Sequence, residues 1–265
     1  MKIISFAAIK GGVGKTTLAY NFGEWLAKNG KKILFIDLDH QCNLSQTYDV
    51  YGDESIGTVA NIFLQQGDVT INHVKENIDL IAGNMHLDDI ETNIENMTNK
   101  NMRLYMWLNN NYDALNIDQY DYIIIDCHPD FSTATKNAII VSHDILSPIT
   151  PSKHGFDAKF NLQDRIDDLR KEAIEFSTGQ SYVTAQLYYI ANLVKRNTSS
   201  SNEMVAAVKD DPTVIAIIPE KELFNRSNLD AVPVVEMKED TRTYNRNYNF
   251  FQDFEKTFKQ IEDKL

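Results

Sequence analysis

Ile9-Lys10-Gly11-Gly12-Val13-Gly14-Lys15-Thr16-Thr17 decides the reading of this chain. Before it runs Lys2-Ile3-Ile4-Ser5-Phe6-Ala7-Ala8, apolar and β-prone. After it, Leu18, Phe22, Trp25 and Leu26 share one face of a helical pattern. Strand, glycine-rich turn and helix, in that order, are the setting a phosphate-binding loop requires. Glycines let successive backbone N–H groups curl inward onto an anion, and the helix N-terminus adds its dipole. Lys15 is then the point charge for the β- and γ-phosphates of a nucleotide, and the Thr16 hydroxyl is a ligand for Mg²⁺. Gly11, Gly12, Val13, Gly14 and Thr17 complete the nucleotide-binding set.

The loop departs from the standard pattern. Ile9 stands where that pattern has its first glycine, and a second lysine, Lys10, precedes the glycine pair. KGGVGKTT at the first strand–helix turn resembles the deviant Walker A group, the ParA/MinD ATPases. The resemblance implies an α/β fold, a doubly wound and mostly parallel sheet with helices on both faces, and ATP with Mg²⁺ as cofactors. It also implies that Lys10 crosses the interface of an ATP-bound homodimer to the partner's nucleotide, joining Lys15 in catalysis.

Length and composition agree with one such domain spanning 1–265. A chain of 265 residues with 43% apolar content can bury a full core. No Pro/Gly/Ser-rich linker, repeat or low-complexity block divides it. The net charge of −12 argues against a strongly basic nucleic-acid binder, though not against a local patch. Two cysteines, Cys42 and Cys127, are too few for a disulfide framework and fit a reduced, cytoplasmic protein. No signal peptide is expected ahead of the first strand, and no apolar run approaches the ~20 residues that span a bilayer.

Further along, Asn29-Gly30 reads as the stop of the first helix. Ile33-Leu34-Phe35-Ile36-Asp37-Leu38-Asp39 reads as a buried parallel strand that delivers its acids to the edge where ligands sit in open α/β sheets. IDLDHQCNLS is similar to the family's box IDLDPQGN, with His40 in place of Pro and Cys42 in place of Gly. The resemblance assigns Asp39 to positioning the attacking water and Asp37 to the metal shell. Tyr120 to Asp126 is a Walker B pattern, and Asp126 is expected to hold Mg²⁺ through a water. Cys127 and His128, taken with His40 and Cys42, are not read as a metal site, because neither pair has zinc-site spacing.

The remaining elements are a short helix from Ser55 to Gln66, a strand from Ile78, two surface-packed helices within 86–115, a helix from Thr133 to Ser142, and a strand from Asp144. A long outer helix from Gly155 to Phe176 follows, then a strand over 185–193, a helix from Ser200 and a strand from Thr213. The resemblance makes Asn192, at a strand end, a candidate for the adenine edge. It makes 219–229 similar to the family's IPRNVRLSEA element along the base, which adds Pro219 to the nucleotide set. Phe251, Phe254, Phe258, Ile261 and Leu265 mark a terminal helix over about 245–264. Its polar face mixes Asp253, Glu255, Glu262 and Asp263 with lysines, unlike the basic face that anionic lipid prefers. It is therefore expected to pack on the domain, with no membrane partner.

The resemblance covers residue 2 to about 245, and points to a DNA-segregation ATPase associated with the nucleoid. An ATP dimer would bind DNA without sequence preference, and a ParB-type centromere-binding partner would stimulate hydrolysis. The loop begins at residue 10, so no room is expected for a helix-turn-helix extension. Candidate DNA contacts are Lys195, Arg196, Lys209, Lys221, Arg226, Arg242 and Arg246, with acids interleaved. The alternatives are a MinD-like membrane regulator and an ATPase that positions a protein cargo. An iron–sulfur reductase is disfavoured, because Cys42 and Cys127 do not match its cluster positions.

Overall fold

The computed structural model describes residues 1–50 and 57–265. Eight strands form one sheet: β1 (Lys2–Phe6), β2 (Ile33–Leu38), β3 (Asn72–Lys75), β4 (Ile78–Ile81), β5 (Tyr122–Cys127), β6 (Asp144–Ile149), β7 (Gln186–Val194) and β8 (Val214–Pro219). Their order is β3-β4-β2-β5-β1-β6-β7-β8. Every pairing is parallel except β3 with β4. The helices are α1 (Lys15–Lys28), α2 (Asn43–Thr47), α3 (Val59–Leu64), α4 (Leu87–Ile94), α5 (Arg103–Asn111) and α6 (Thr133–Val141). They continue with α7 (Lys153–Glu172), α8 (Ser199–Val208), α9 (Glu222–Leu229), α10 (Val234–Met237), α11 (Thr241–Arg246) and α12 (Tyr248–Lys264).

Side chains alternate between the faces of the sheet, as the pleat dictates. Ile3, Leu34, Ile36, Ile123 and Ile125 join a core with α3 to α7. Ile4, Ile33, Phe35 and Ile124 join the opposite core with α1, α9, α10 and α12. Strands buried on both faces read as continuous apolar runs, which is why they stand out in the sequence. Pro148 sits beyond the stretch of β6 that pairs with β1, so its missing N–H costs no ladder bond there.

The terminal helix docks on the domain. Phe258 meets Phe22 and Trp25 of α1 at ring-centroid distances of 5.7 and 6.1 Å, and Trp25 Nε1 donates to Glu255 Oε2 at 2.6 Å. Helix α1 lies close on β2 because residue 23 is glycine: a Cβ there would stand 2.1 Å from Phe35 Cζ. Phe35 is fully buried and cannot swing aside. Gly23→Ala is expected to cost about 1–3 kcal/mol as overpacking, read as a lowered thermal midpoint. An unchanged midpoint would show that the helix can lift without loss.

Several expected elements change. The long helix ends at Glu172 and not at Phe176: the chain turns into an antiparallel bridge between Ile174 and Ser181, and Phe176 is 98% exposed. Within that helix Phe160 is exposed, while Leu162, Ile166 and Leu169 are buried. The expected helix start at Ser55 lies outside the described residues; from Thr58 onward a capping box opens α3. The terminal helix begins at Tyr248, because Asn247 separates it from α11.

Candidate nucleotide-binding site

The carboxyl ends of β1, β2 and β5 converge. Phe6 and Asp37 are both in register with Asp126, on either side of it. The turn after β1 places Gly12 at φ 71° and Gly14 at φ 89°, a left-handed backbone that side chains resist. A Cβ on Gly14 would also meet Asn192 Nδ2 at 2.5 Å. Helix α1 starts at Lys15, so its free N–H groups and dipole face the turn. The cleft has a volume of about 710 Å³ and is lined by Gly12, Gly14, Lys15, Thr16, Thr17 and Asp39, with His128 and Pro129 opposite. That is within the ~300–1,000 Å³ of a small-molecule site.

The two buried acids have different tasks. Asp37 accepts from Ser45 N at 2.9 Å and Ser45 Oγ at 2.6 Å on Oδ2, and from Asp39 N at 3.1 Å on Oδ1. Ser45 Oγ in turn accepts from Gly83 N at 2.8 Å. Burial pushes the Asp37 carboxyl up to about 6 against these donors. These bonds tie α2 to the sheet and hold the turn that carries Asp39. Asp126 is the opposite case. Both of its oxygens are buried without a hydrogen-bond partner. Burial, and then Asp37 and Asp39 beside it, hold its carboxyl well above the usual range. Thr16 and Lys15 offset part of that shift, although the Thr16 hydroxyl does not reach hydrogen-bond geometry on either oxygen.

A buried carboxylate without donors is costly unless a cation answers it. Thr16 and Asp126 therefore fit a hard, oxygen-seeking divalent cation such as Mg²⁺, which keeps waters and takes few protein ligands. Lys15 is buried, and that burial lowers its pKa, opposed by Asp126, Cys127, Asp39 and Asp130.

Asp39 is also buried at the cleft, and its Oδ1 accepts from Gln41 N at 2.9 Å. Cys42 holds φ 52° as the cap of α2. That left-handed geometry accounts for the Gly in the box this segment resembles. Burial pushes the Cys42 thiol up to about 12 and Cys127 well up from its ordinary value, so both are held as inert thiols.

Other expected site residues fall elsewhere. Asn192 is buried, and its Nδ2 donates to Val13 O at 2.8 Å, so its amide braces the phosphate loop. Pro219 ends β8 opposite Val194 and is not among the residues lining the cleft. Lys10 Nζ donates to Ser152 Oγ at 3.3 Å, outside that lining.

Of the basic candidates, Lys195 pairs with Glu220 at 3.4 Å and Arg226 with Asp230 at 2.7 Å. Lys221 sits over the Phe250 ring at 5.4 Å. Arg196, Lys209, Arg242 and Arg246 are exposed. The far wall of the cleft is lined by Asn43, Gln46 and Thr47, which the sequence did not single out, and by Asn228 and Leu229 of the 219–229 element expected along the base. Asn228 Nδ2 donates to Thr17 Oγ1 at 2.6 Å, and Asn21 binds Thr17 O, Ser227 Oγ and Val234 N. Asn21 inside an otherwise apolar helix face was the available signal.

A phosphate-binding turn, a Walker B carboxylate and a doubly wound sheet define a P-loop nucleotide-binding protein. The family model AAA_31, an AAA domain, matches residues 1–177, and the chain belongs to that family. Its relatives include the sporulation initiation inhibitor protein Soj of Bacillus subtilis, 34% identical over 152 residues, 56% of this chain and 58% of that one. An uncharacterised Mycobacterium tuberculosis protein is 31% identical over 173 residues, 64% of this chain. The match spans 53% of its length, so this chain spans little more than half of such relatives. A putative plasmid partition protein from Borrelia burgdorferi, solved with AMPPNP, has a TM-score of 0.72 at 25% identity, covering 86% of this chain and 89% of that one. An ATP complex of a Cyanothece McdA variant shares the fold, with a TM-score of 0.82 at 21% identity over 99% of this chain and 95% of that one.

Proposed function

We propose that this chain is an ATP-hydrolysing switch of the partition type. The observation that carries the reading is the partnerless Asp126 carboxylate beside Thr16 and Lys15 at the N-terminus of α1. Lys15 and the turn's N–H groups hold the phosphates, and Asp39 orients the water that attacks the γ-phosphate in line. Thr16 and Asp126 would hold Mg²⁺, Asp126 through an ordered water, and the bound ion would supply charge neutralisation at the phosphate oxygens. Lys10, which donates to Ser152 and lies outside the lining of its own cleft, serves the second chain of an ATP-bound homodimer in this reading.

The test is phosphate release from Mg–ATP, with ATP affinity measured with and without Mg²⁺. Asp126→Asn should lose about tenfold or more of the affinity that Mg²⁺ adds, since the carboxylate can no longer order the ion's waters. A variant that keeps the full Mg²⁺ gain would remove Asp126 from the metal shell.

The ATP dimer binds DNA without sequence preference through exposed residues such as Arg196, Arg242 and Arg246, and a ParB-type protein stimulates turnover. With about four phosphates contacted, log affinity should fall against log salt with a slope of roughly −3 to −4. Equal binding to random duplex in ATP and ADP would count against this. In a second reading the same switch positions a protein cargo. It is favoured by the acids that pair Lys195 and Arg226 and by the net charge of −12. The apolar face of α12 is buried on α1 and β8, which supports a packing role for it over a membrane role. Among the described residues no helix is long and apolar enough to cross a membrane.

A further inference from the structure

His40 and His128 are far apart in sequence, yet each follows the end of one of two neighbouring strands, β2 and β5, where Leu38 and Cys127 are in register. Their rings stand 4.1 Å apart, tilted by 33°. With Asp39 they offer three donor atoms that all lie within 4.8 Å of one another.

We propose that Asp39, His40 and His128 form a site for an imidazole-seeking divalent ion of the zinc type at the rim of the cleft, and that filling it withdraws Asp39 from the cleft. Spacing in the sequence argued against a metal here, because it weighed each histidine with its neighbouring cysteine. The structure pairs the histidines with each other and with Asp39. Both cysteines are buried apart from this donor set.

The chemistry of the donors selects the ion. Two imidazoles and one carboxylate suit zinc, cobalt or nickel, whereas Mg²⁺ takes oxygen ligands. Zinc bonds of about 2.0–2.2 Å set tetrahedral donors roughly 3.4 Å apart. Both rings are half-buried at the rim, and the donors, within 4.8 Å of one another, must draw in by about an ångström on binding. Three protein donors leave a fourth position for water, as in an exchangeable site and not a closed structural one. His128 Nδ1 is hydrogen-bonded to Asp130 Oδ2 at 3.0 Å. That leaves Nε2 as the ligating nitrogen, in the carboxylate–histidine–metal arrangement that fixes a ring's orientation. The Mg²⁺ pair, Thr16 and Asp126, shares no residue with this set, so the two ions do not compete for ligands. They compete for function, because a zinc ion drawing Asp39 to the rim takes its negative charge and its position away from the attacking water.

Zinc uptake by equilibrium dialysis and the visible spectrum of added Co²⁺ test the site, on the full chain without nucleotide. One ion per chain is expected, with a nitrogen–oxygen cobalt spectrum. His40→Ala and His128→Ala should each weaken zinc by about tenfold or more, and Asp130→Asn by about tenfold. Cys42→Ser should change nothing, and melting curves confirm that each variant is folded. Unchanged zinc affinity in both histidine variants, a thiolate charge-transfer band, or no uptake at micromolar free zinc overturns the site.

The coupling to catalysis rests on Asp39 as the water-orienting residue. Zinc at site-filling concentration should cut phosphate release from Mg–ATP at least tenfold in the wild type and leave the rate of His40→Ala unchanged. Equal suppression in both overturns the coupling. Zinc uptake as described with no phosphate release under any condition overturns the ATPase reading and leaves the metal site standing.

Discussion

Lys15→Ala should bind ATP about a hundredfold more weakly than the wild type, or not measurably. Among the described residues lining the cleft, Lys15 is the lysine or arginine, and it faces Asp39, Asp126 and Asp130. Without it a triphosphate meets an acid-lined cavity that, among the described lining residues, has no lysine or arginine side chain. A charge-assisted hydrogen bond is worth about 1.5–3 kcal/mol, and like-charge repulsion adds to the loss; each 1.4 kcal/mol is about tenfold. The measurement is an ATP titration with Mg²⁺ on folded protein. Affinity within a factor of a few of the wild type would remove Lys15 from the phosphate site, and the loop with it.

Asp39→Ala should separate binding from chemistry. The carboxylate makes one local hydrogen bond, to Gln41 N, while the fold of the segment rests on Asp37 and Ser45. The chain should therefore fold, and ATP affinity should stay within a few-fold. Phosphate release should fall by about 10²–10⁴, the usual contribution of a positioned acid–base group. Lys10→Ala divides differently: ATP still binds, but the closed pair of chains and the stimulated turnover fail. If Asp39→Ala turns over at the wild-type rate, the carboxylate serves only to shape the Gln41 turn.

The sequence displayed the phosphate loop and the central strands because their physics is local. Gly12 and Gly14 are dictated by backbone dihedrals, and Ile33–Leu38 and Tyr122–Cys127 are apolar runs that only a doubly covered sheet explains. Strand β3 was not legible: Asn-His-Val-Lys on an edge carries neither an apolar run nor clean alternation. The end of α7 was missed because the apolar spacing continues through Ala173 and Ile174 after the backbone has turned. Asn192 was placed at its strand end correctly, but its partner, Val13 O, lies 179 residues away and could not be inferred from its own neighbourhood. Asp37 and Asp126 read alike in sequence, each an acid at the end of an apolar strand. The donors from Ser45 and Asp39 N distinguish them. His40 and His128 meet for a topological reason, the adjacency of β2 and β5, which no spacing rule along the chain expresses.

At the centre of the account is a switch in which ATP, held at one loop, brings two chains together. Light-scattering mass of the hydrolysis-deficient Asp39→Ala chain, in Mg–ATP and in Mg–ADP, tests it most directly. The account predicts twice the mass of one chain in Mg–ATP and a single chain in Mg–ADP, with the difference lost on adding Lys10→Ala. One and the same mass in both nucleotides, whether single or double, would contradict it.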